Sequence, residues 1–458
     1  MSEALCRPLF LMAAILLLWG SPALAQEFGG RLESGSLWQG AVRLTASVEI
    51  PPGVTLEIAP GTEVRVESPD HRILVRGRLR IKGTTEAPVV FSTPAQWQGI
   101  EFMEPDGRSH IDFARFEGGA VFVSGFAAHL DVRGTEFRAA ATAVKLVRDC
   151  VLRVEESLFS GGETGIRMQM KSSAEIIDSR FEKHGVSAIV SSHGSRGSIT
   201  GCVFSSNEQA VGLQGKFPGH IRNNRFRDNR VGIFCNQSRN TPEISGNRFE
   251  NNKNALVNLS FSYPIVQRNS FLANGTAMRN DQFGSAGVFH NLFAQNGTAV
   301  HNNRKSNPEL ERNIFRHNEL ALFCDYSSYP RVKDNNFIDN EMAVKLGIYQ
   351  SADFEGREGS RGFVMQQAQQ RRSRNPLLDQ APDAFSDRVD VSGNWWGDRT
   401  SVMEEVGAGG NLAFFHDRHD QPKVRYEGWG EEEFTLDRVV FAPWLEAPVA
   451  DAGPEVKQ

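Results

Sequence analysis

Hydrophobic positions recur along this chain on a near-fixed grid. Phe116, Phe137, Phe159, Phe181, Phe204, Phe226, Phe249, Phe271, Phe293, Phe315 and Phe337 each follow the one before by 21 to 23 residues. Five residues ahead of each stands a branched aliphatic, from Ile111 and Val132 through Ile221, Ile244 and Val266 to Val332. Seven residues behind comes a second apolar column, Val144, Ile166, Ala188, Val211 and Ile233 through to Val344, each preceded by a small residue such as Gly165, Ser187 or Gly232. Both columns are expected inside. Short runs rich in β-branched residues, punctuated by Gly and Asn, predict strands. A repeat of this size fits three short strands and three bends per turn, with turns stacked roughly 4.8 Å apart.

Asparagine forms two further columns. Asn224, Asn247, Asn269, Asn291, Asn313 and Asn335 stand two residues before the phenylalanine; Asn207, Asn229, Asn252, Asn274, Asn296, Asn318 and Asn340 stand three after it. An amide both donates and accepts, and Asn tolerates left-handed backbone, so stacked copies are expected to bond along the axis while satisfying the bends.

Stretches such as "IRNNRFRDNRVGIFCN", "ISGNRFENNKNALVN" and "LERNIFRHNELALFCD" resemble the repeats of right-handed parallel β-helix proteins with pectin-lyase-like folds, over about residues 40 to 445. The resemblance implies an all-β chain wound into one right-handed parallel β-helix of roughly fifteen turns. Its members include lyases, hydrolases, adhesins, phage tailspikes and non-catalytic exported proteins, so it implies a fold more than an activity.

The grid sets the expected organisation. Residues 1–25 read as a secretory signal, with Arg7, an apolar run from Leu9 to Trp19, and Ala23-Leu24-Ala25 before Gln26. Residues 26–95 are expected to form an N-terminal cap and first turns, 96–346 the regular turns, and 347–388 a polar insertion leaving the wall. Residues 389–445 are expected to supply a last turn and C-terminal cap. There Val391, Asn394 and Trp396 of "VDVSGNWWGD" re-enter the columns, and Trp395, Trp396, Trp429 and Trp444 cover the open end. Residues 446–458 resemble the opening of a polycystic-kidney-disease-type domain and are expected to be a flexible tail.

Composition adds little: 40% hydrophobic, 23% charged and a net charge of −5 give no nucleic-acid signature. No stretch beyond the signal approaches the ~18 apolar residues of a membrane span. The expected location is the periplasm or the cell exterior. Cys235 and Cys324 share a column four turns apart, roughly 19 Å at one strand spacing per turn, so no disulfide is expected.

Candidate chemistry lies on the outward side of the strand after each phenylalanine. The position eight residues on holds Lys145, Arg167, Ile189, Phe234, Arg279, His301, Phe323 and Lys345, and the position ten on holds Asp281, Asn303 and Asp325. Asp281 and Asp325 would stand about 10 Å apart, the upper edge of the separation inverting glycosidases use, with His301 assisting proton transfer. Arg279, Asn303 and Tyr326 would hold a sugar on whose faces Phe234 and Phe323 stack. Neither the adjacent Asp-Asp pair of polygalacturonases nor the Asp cluster of calcium-dependent lyases is present. His416 and His419, with flanking carboxylates, are the candidate metal ligands. A β-helix relative that serves copper-site assembly in nitrous-oxide reductase gives that idea its analogy; no cofactor is otherwise expected.

Three functions are expected, two from this wall and one from the C-terminal histidines. The preferred one is an exported binding or scaffold protein that engages polysaccharide or a cell-envelope protein. The others are a polysaccharide lyase or glycoside hydrolase, and a periplasmic copper-handling accessory.

Overall fold

The computed structural model describes residues 25–92, 97–126, 128–357 and 386–454. The signal expected at residues 1–25 lies outside them except for Ala25, as does most of the 347–388 insertion.

Each regular turn holds three strands, as in Gly219–Arg222, Arg225–Arg227 and Val231–Asn236. Every strand pairs in parallel with its counterpart one turn on: Ile221 opposite Ile244, Phe226 opposite Phe249, Ile233 opposite Leu256. The first kind of strand builds a 14-stranded sheet and the other two a larger one, so the chain is a parallel β-helix of about fourteen turns. Residues one period apart in the chain are therefore neighbours along the axis. The phenylalanines form one buried file, extended by Phe91 at one end and Trp396 at the other, with successive ring centroids 4.5 to 5.0 Å apart.

Both asparagine columns are continuous ladders. Asn269 illustrates one step: its Oδ1 accepts from the backbone N–H and the Nδ2 of Asn247, at 2.9 and 3.0 Å. Its own N–H and Nδ2 donate to Asn291 Oδ1 at 2.9 and 3.0 Å, and Nδ2 also reaches the Ile244 carbonyl at 2.9 Å. The left-handed residue at these bends is the one before the Asn, such as Arg268 (φ 54°) or Ala273 (φ 52°), and not the Asn itself. The amide's contribution is thus to the hydrogen bonding of the bend. A third, inward ladder joins Asn258, Asn280 and Asn302 by Nδ2–Oδ1 bonds of 2.9 Å, between the free, buried Cys235 and Cys324.

Several expectations need correction. The turn after Phe181 carries one extra residue before its long strand, so Ile189, not Ala188, lies opposite Ile166 and Val211. Val190 then takes the outward position expected of Ile189. Trp396 does close the aromatic file, with Phe414 and Phe415 packed beside it, whereas Trp429 stands 40% exposed on the flank. Residues 446–454 are strapped down rather than flexible. Asn336 exchanges two hydrogen bonds with the Val449 backbone (2.9 and 3.0 Å), Gly453 N–H donates to the Arg312 carbonyl (2.8 Å), and His290 Nδ1 lies 2.9 Å from the Asp451 carbonyl.

The segment expected to leave the wall stays on it at first. Gln350 Oε1 accepts from Ser328 N–H at 3.0 Å, and a short helix, Ala352–Arg357, then folds against the strand Glu433–Thr435. Buried Asp437 clamps this junction: it accepts from Ala352 N–H (2.8 Å), Tyr329 Oη (2.8 Å) and Gln350 Nε2 (3.1 Å). Burial pushes its carboxyl up to about 6 despite these bonds.

Candidate functional site

The long strands bring most of the expected wall residues into one outward file. Phe234, Val257, Arg279, His301, Phe323 and Lys345 are consecutive register neighbours. The next neighbour is His416, because Phe415–His416 adds one more strand opposite Val344 and Lys345. Two candidate groups that looked unrelated in the sequence therefore share a file. The His301 ring lies 4.7 Å from that of Phe323, tilted by 46°. Burial, reinforced by the Arg279 guanidinium, pushes the His301 imidazole down to about 4. It is neutral near pH 7 and a weak base.

Asp281, Asn303 and Asp325 also fall in one column, and both carboxylates are buried and hydrogen-bonded. Asp281 is 3% exposed, with Oδ2 2.9 Å from Arg279 Nη2 and Oδ1 3.6 Å from Arg304 Nη1. Asp325 is 9% exposed and its Oδ1 accepts the backbone N–H groups of Tyr326 (3.0 Å) and Tyr349 (2.9 Å). A Cβ added at Gly347 would come within 2.3 Å of the Asp325 Cγ, so this carboxyl rests on the next turn's backbone. Burial pushes it up to about 6. Asn303, between them, has an Oδ1 that accepts no hydrogen bond.

His416 and His419 are engaged separately. His419 Nδ1 is 3.0 Å from Asp417 Oδ1, while the His416 Nδ1 is 3.9 Å from Asp420 Oδ2. Asp417 is itself buried, its Oδ2 accepting from Val439 N–H at 2.7 Å. Among the described residues no group of three or more His, Cys, Asp or Glu is gathered as metal coordination requires.

Residues beyond the expected set complete the wall. The bend after the long strand uses two left-handed residues per turn, and its side chains make a ridge: Ser260 and Phe261, Gln282 and Phe283, Arg304 and Lys305, then Tyr326 and Ser327. Phe261 and Phe283 stack at 5.1 Å, with Phe283 38% exposed. Arg304 lies 6.0 Å from the Tyr326 ring, and Tyr326 stacks on Tyr349 at 4.4 Å. The signal for Phe261 and Phe283 was present, since they are one period apart and twelve residues behind their core phenylalanines. Past Tyr326 the ridge meets a cavity of about 300 Å³ lined by Tyr326, Tyr349, Phe354, Tyr426 and Trp429 together with Glu355 and Glu427. No period announces the last five of these after Tyr349, because they come from the segments that close the helix.

The opposite, 14-stranded sheet has a broader trough of about 820 Å³, where Ala174, Gly197 and Gly219 leave a dent. Several of its charges are matched within the wall: Arg153 pairs with Glu155 and Glu175, and Asp131 with Arg108 and His110.

One family match agrees with the winding. The family described as "Right handed beta helix region" matches residues 119–271. Among solved structures, pectate lyase Pel9A is 14% identical, with 62% of this chain and 72% of that one covered and a TM-score of 0.32. The periplasmic alginate epimerase AlgG is 12% identical (68% and 75% covered, TM-score 0.29). The A-module of the Azotobacter vinelandii mannuronan C-5 epimerase AlgE4 is 12% identical (69% and 89% covered, TM-score 0.33). No curated protein matches the chain. The fold is a right-handed parallel β-helix, as the repeat predicts.

Proposed function

We propose that this is an exported binding protein that holds an extracytoplasmic polysaccharide lengthwise along the ridge and the adjoining strand file. The observation that carries the reading is the Phe261–Phe283 stack, half-buried at Phe261 and exposed at Phe283, continued on the next two turns by Arg304 and Tyr326 of the adjoining column. Aromatic faces take the C–H faces of sugar rings, and guanidinium groups take carboxylates or hydroxyls in a fork. Repetition of the bend at one strand spacing offers an extended chain several equivalent footholds. Asn303 stands beside the ridge, its Oδ1 buried and without a hydrogen-bond partner.

Binding is favoured over cleavage by the state of the two carboxylates. Inverting hydrolysis needs one carboxyl free to protonate the leaving oxygen and another free to activate water. Asp281 is held by Arg279 and Arg304, and Asp325 by two backbone amides. A copper-handling role has no gathered ligand set behind it among the described residues.

A glycan array followed by a turnover assay on the retained glycans tests this reading. Retention without product is expected, weakened about tenfold or more by Phe283→Ala or Arg304→Ala. Release of reducing ends or unsaturated products, abolished by Asp281→Asn or Asp325→Asn, overturns it in favour of an enzyme. N-terminal sequencing of the exported protein is expected to begin at Gln26.

A further inference from the structure

The cavity beside Tyr326 has a chemistry unlike the ridge that leads to it. Tyr326 and Tyr349 carry the ridge's stacking into it, and beyond them the rings are set at angles. Tyr349 meets Tyr426 edge-on at 4.7 Å and 68°, Phe354 meets Trp429 at 5.2 Å and 86°, and Phe354 lies 4.3 Å from Tyr426. Tyr426, 4% exposed, forms the floor, while Tyr326 and Trp429, 39% and 40% exposed, form the rim.

Among the described residues, the charged groups lining the cavity are two carboxylates, Glu355 and Glu427. Glu355, with a side chain only 10% exposed, is fixed by Lys305 at 3.2 Å. Glu427 is exposed at the mouth.

An aromatic face is the negative end of the ring quadrupole, so with Glu355 paired to Lys305 and Arg304 near the Tyr326 rim, the inner rings and Glu427 are the groups that select positive charge. This lining supplies no Arg, Lys, Asn or Gln, and its polar groups besides the two carboxylates are the hydroxyls of Tyr326, Tyr349 and Tyr426. A bare ammonium would give up strong hydration on entry, whereas an alkylated one presents charge behind an apolar surface and gives up little.

We propose that this cavity is a binding site for an alkylated ammonium group of the trimethylammonium class, held by the rings of Tyr326, Tyr349, Tyr426 and Trp429 with Glu427 closing the mouth. The same headgroup chemistry occurs on small solutes and on phosphocholine lipids. The site is separate in chemistry from polysaccharide binding and shares only Tyr326 with the ridge.

Calorimetric titration of the full exported chain tests it, using tetramethylammonium and choline against 3,3-dimethylbutan-1-ol, the neutral isostere of choline. Both cations are expected to bind about tenfold or more tightly than the neutral isostere. Trp429→Ala and Glu427→Gln are each expected to weaken the cations severalfold. Both positions are exposed, and an unchanged melting temperature distinguishes lost binding from lost fold. Equal binding of the isostere, no binding of either cation, or indifference to Trp429→Ala overturns the proposal. Parallel co-sedimentation with phosphatidylcholine vesicles separates the sources: capture abolished by excess choline assigns the lipid headgroup, and its absence assigns the soluble cation. Phe283→Ala, which tests the ridge, is expected to leave cation binding unchanged, so the two readings fail independently.

Discussion

The first and second halves of the β-helix share a fold but not a way of satisfying their bends. Two residues before the phenylalanine, the early turns carry Ala114, Thr135, Ser157, Ser179 and Cys202, and the later turns carry asparagine from Asn224 to Asn394. Three residues after it, Gly119, Ala140 and Gly162 give way to His184 and then to asparagine from Asn207 on. In the hydroxyl turns one backbone N–H bond crosses each step, such as Thr135 N–H to Ser157 Oγ at 3.2 Å, and Thr135 Oγ1 adds a longer bond of 3.3 Å to the Ile111 carbonyl of the turn before. In the amide turns two bonds cross, and the same Nδ2 also reaches a carbonyl of the turn before. Geometry is thus fixed by the aromatic file common to both halves, while the polar ladder sets how tightly adjacent turns are tied. The ridge and the ammonium cavity both lie in the amide half, where rings on successive turns need a constant spacing.

The largest test of that contrast is Asn269→Leu. It leaves the Asn247 N–H without its acceptor in a buried site, takes one of three acceptors from Asn247 Nδ2, and removes the Asn269 Nδ2 bonds to Asn291 and the Ile244 carbonyl, so a loss of about 2–5 kcal/mol is expected in denaturant unfolding. Ser157→Ala removes one acceptor and should cost only about 1 kcal/mol. Equal losses would mean that the amides add nothing beyond what a hydroxyl supplies. Native-state hydrogen exchange sharpens the comparison, with slower exchange expected at Asn247 and Asn269 than at Thr135 and Ser157.

The smallest expected effects are in pH dependence. His301 sits at about 4 in the fold against an ordinary 6.5, so the unfolded chain binds its proton more readily and stability is lost as pH falls between those values. Asp325 and Asp437, pushed up to about 6 from 3.8, act in the opposite sense: their contribution is present at low pH and is lost as pH rises toward 6. Melting temperatures at several pH values should therefore show less acid loss for His301→Phe and less loss between pH 4 and 6 for Asp437→Asn. A parallel shift of the whole curve in either variant would remove titration as the cause.

What could be read from the chain follows from the same contrast between periodic and aperiodic parts. A residue that repeats every turn has a neighbour of its own kind, so Phe226, Asn269 and the file from Phe234 to Lys345 were placed by counting alone. Counting alone misplaces Ile189, where one residue is inserted, and passes over Phe261 and Phe283, whose repeat spans only two turns before Lys305 takes the position. It had no purchase on Phe354, Tyr426 or Trp429. These reach the wall through contacts between distant segments, such as Asp437 with Ala352 and Asp353 with Thr435 N–H, and no period encodes such contacts. Charge state was equally hidden, since spacing located Asp281 and Asp325 without revealing that each was already in use.

The strap at residues 446–454 has a mechanical corollary. From the closing turn it doubles back, meeting Asn336 first and then Arg312 and His290. Load applied at Pro454 would peel these attachments one after another, as a zip opens, before any stacked turn felt shear. A probe fused there would project from the rod's side and report on that peeling at forces too small to disturb the coils beneath.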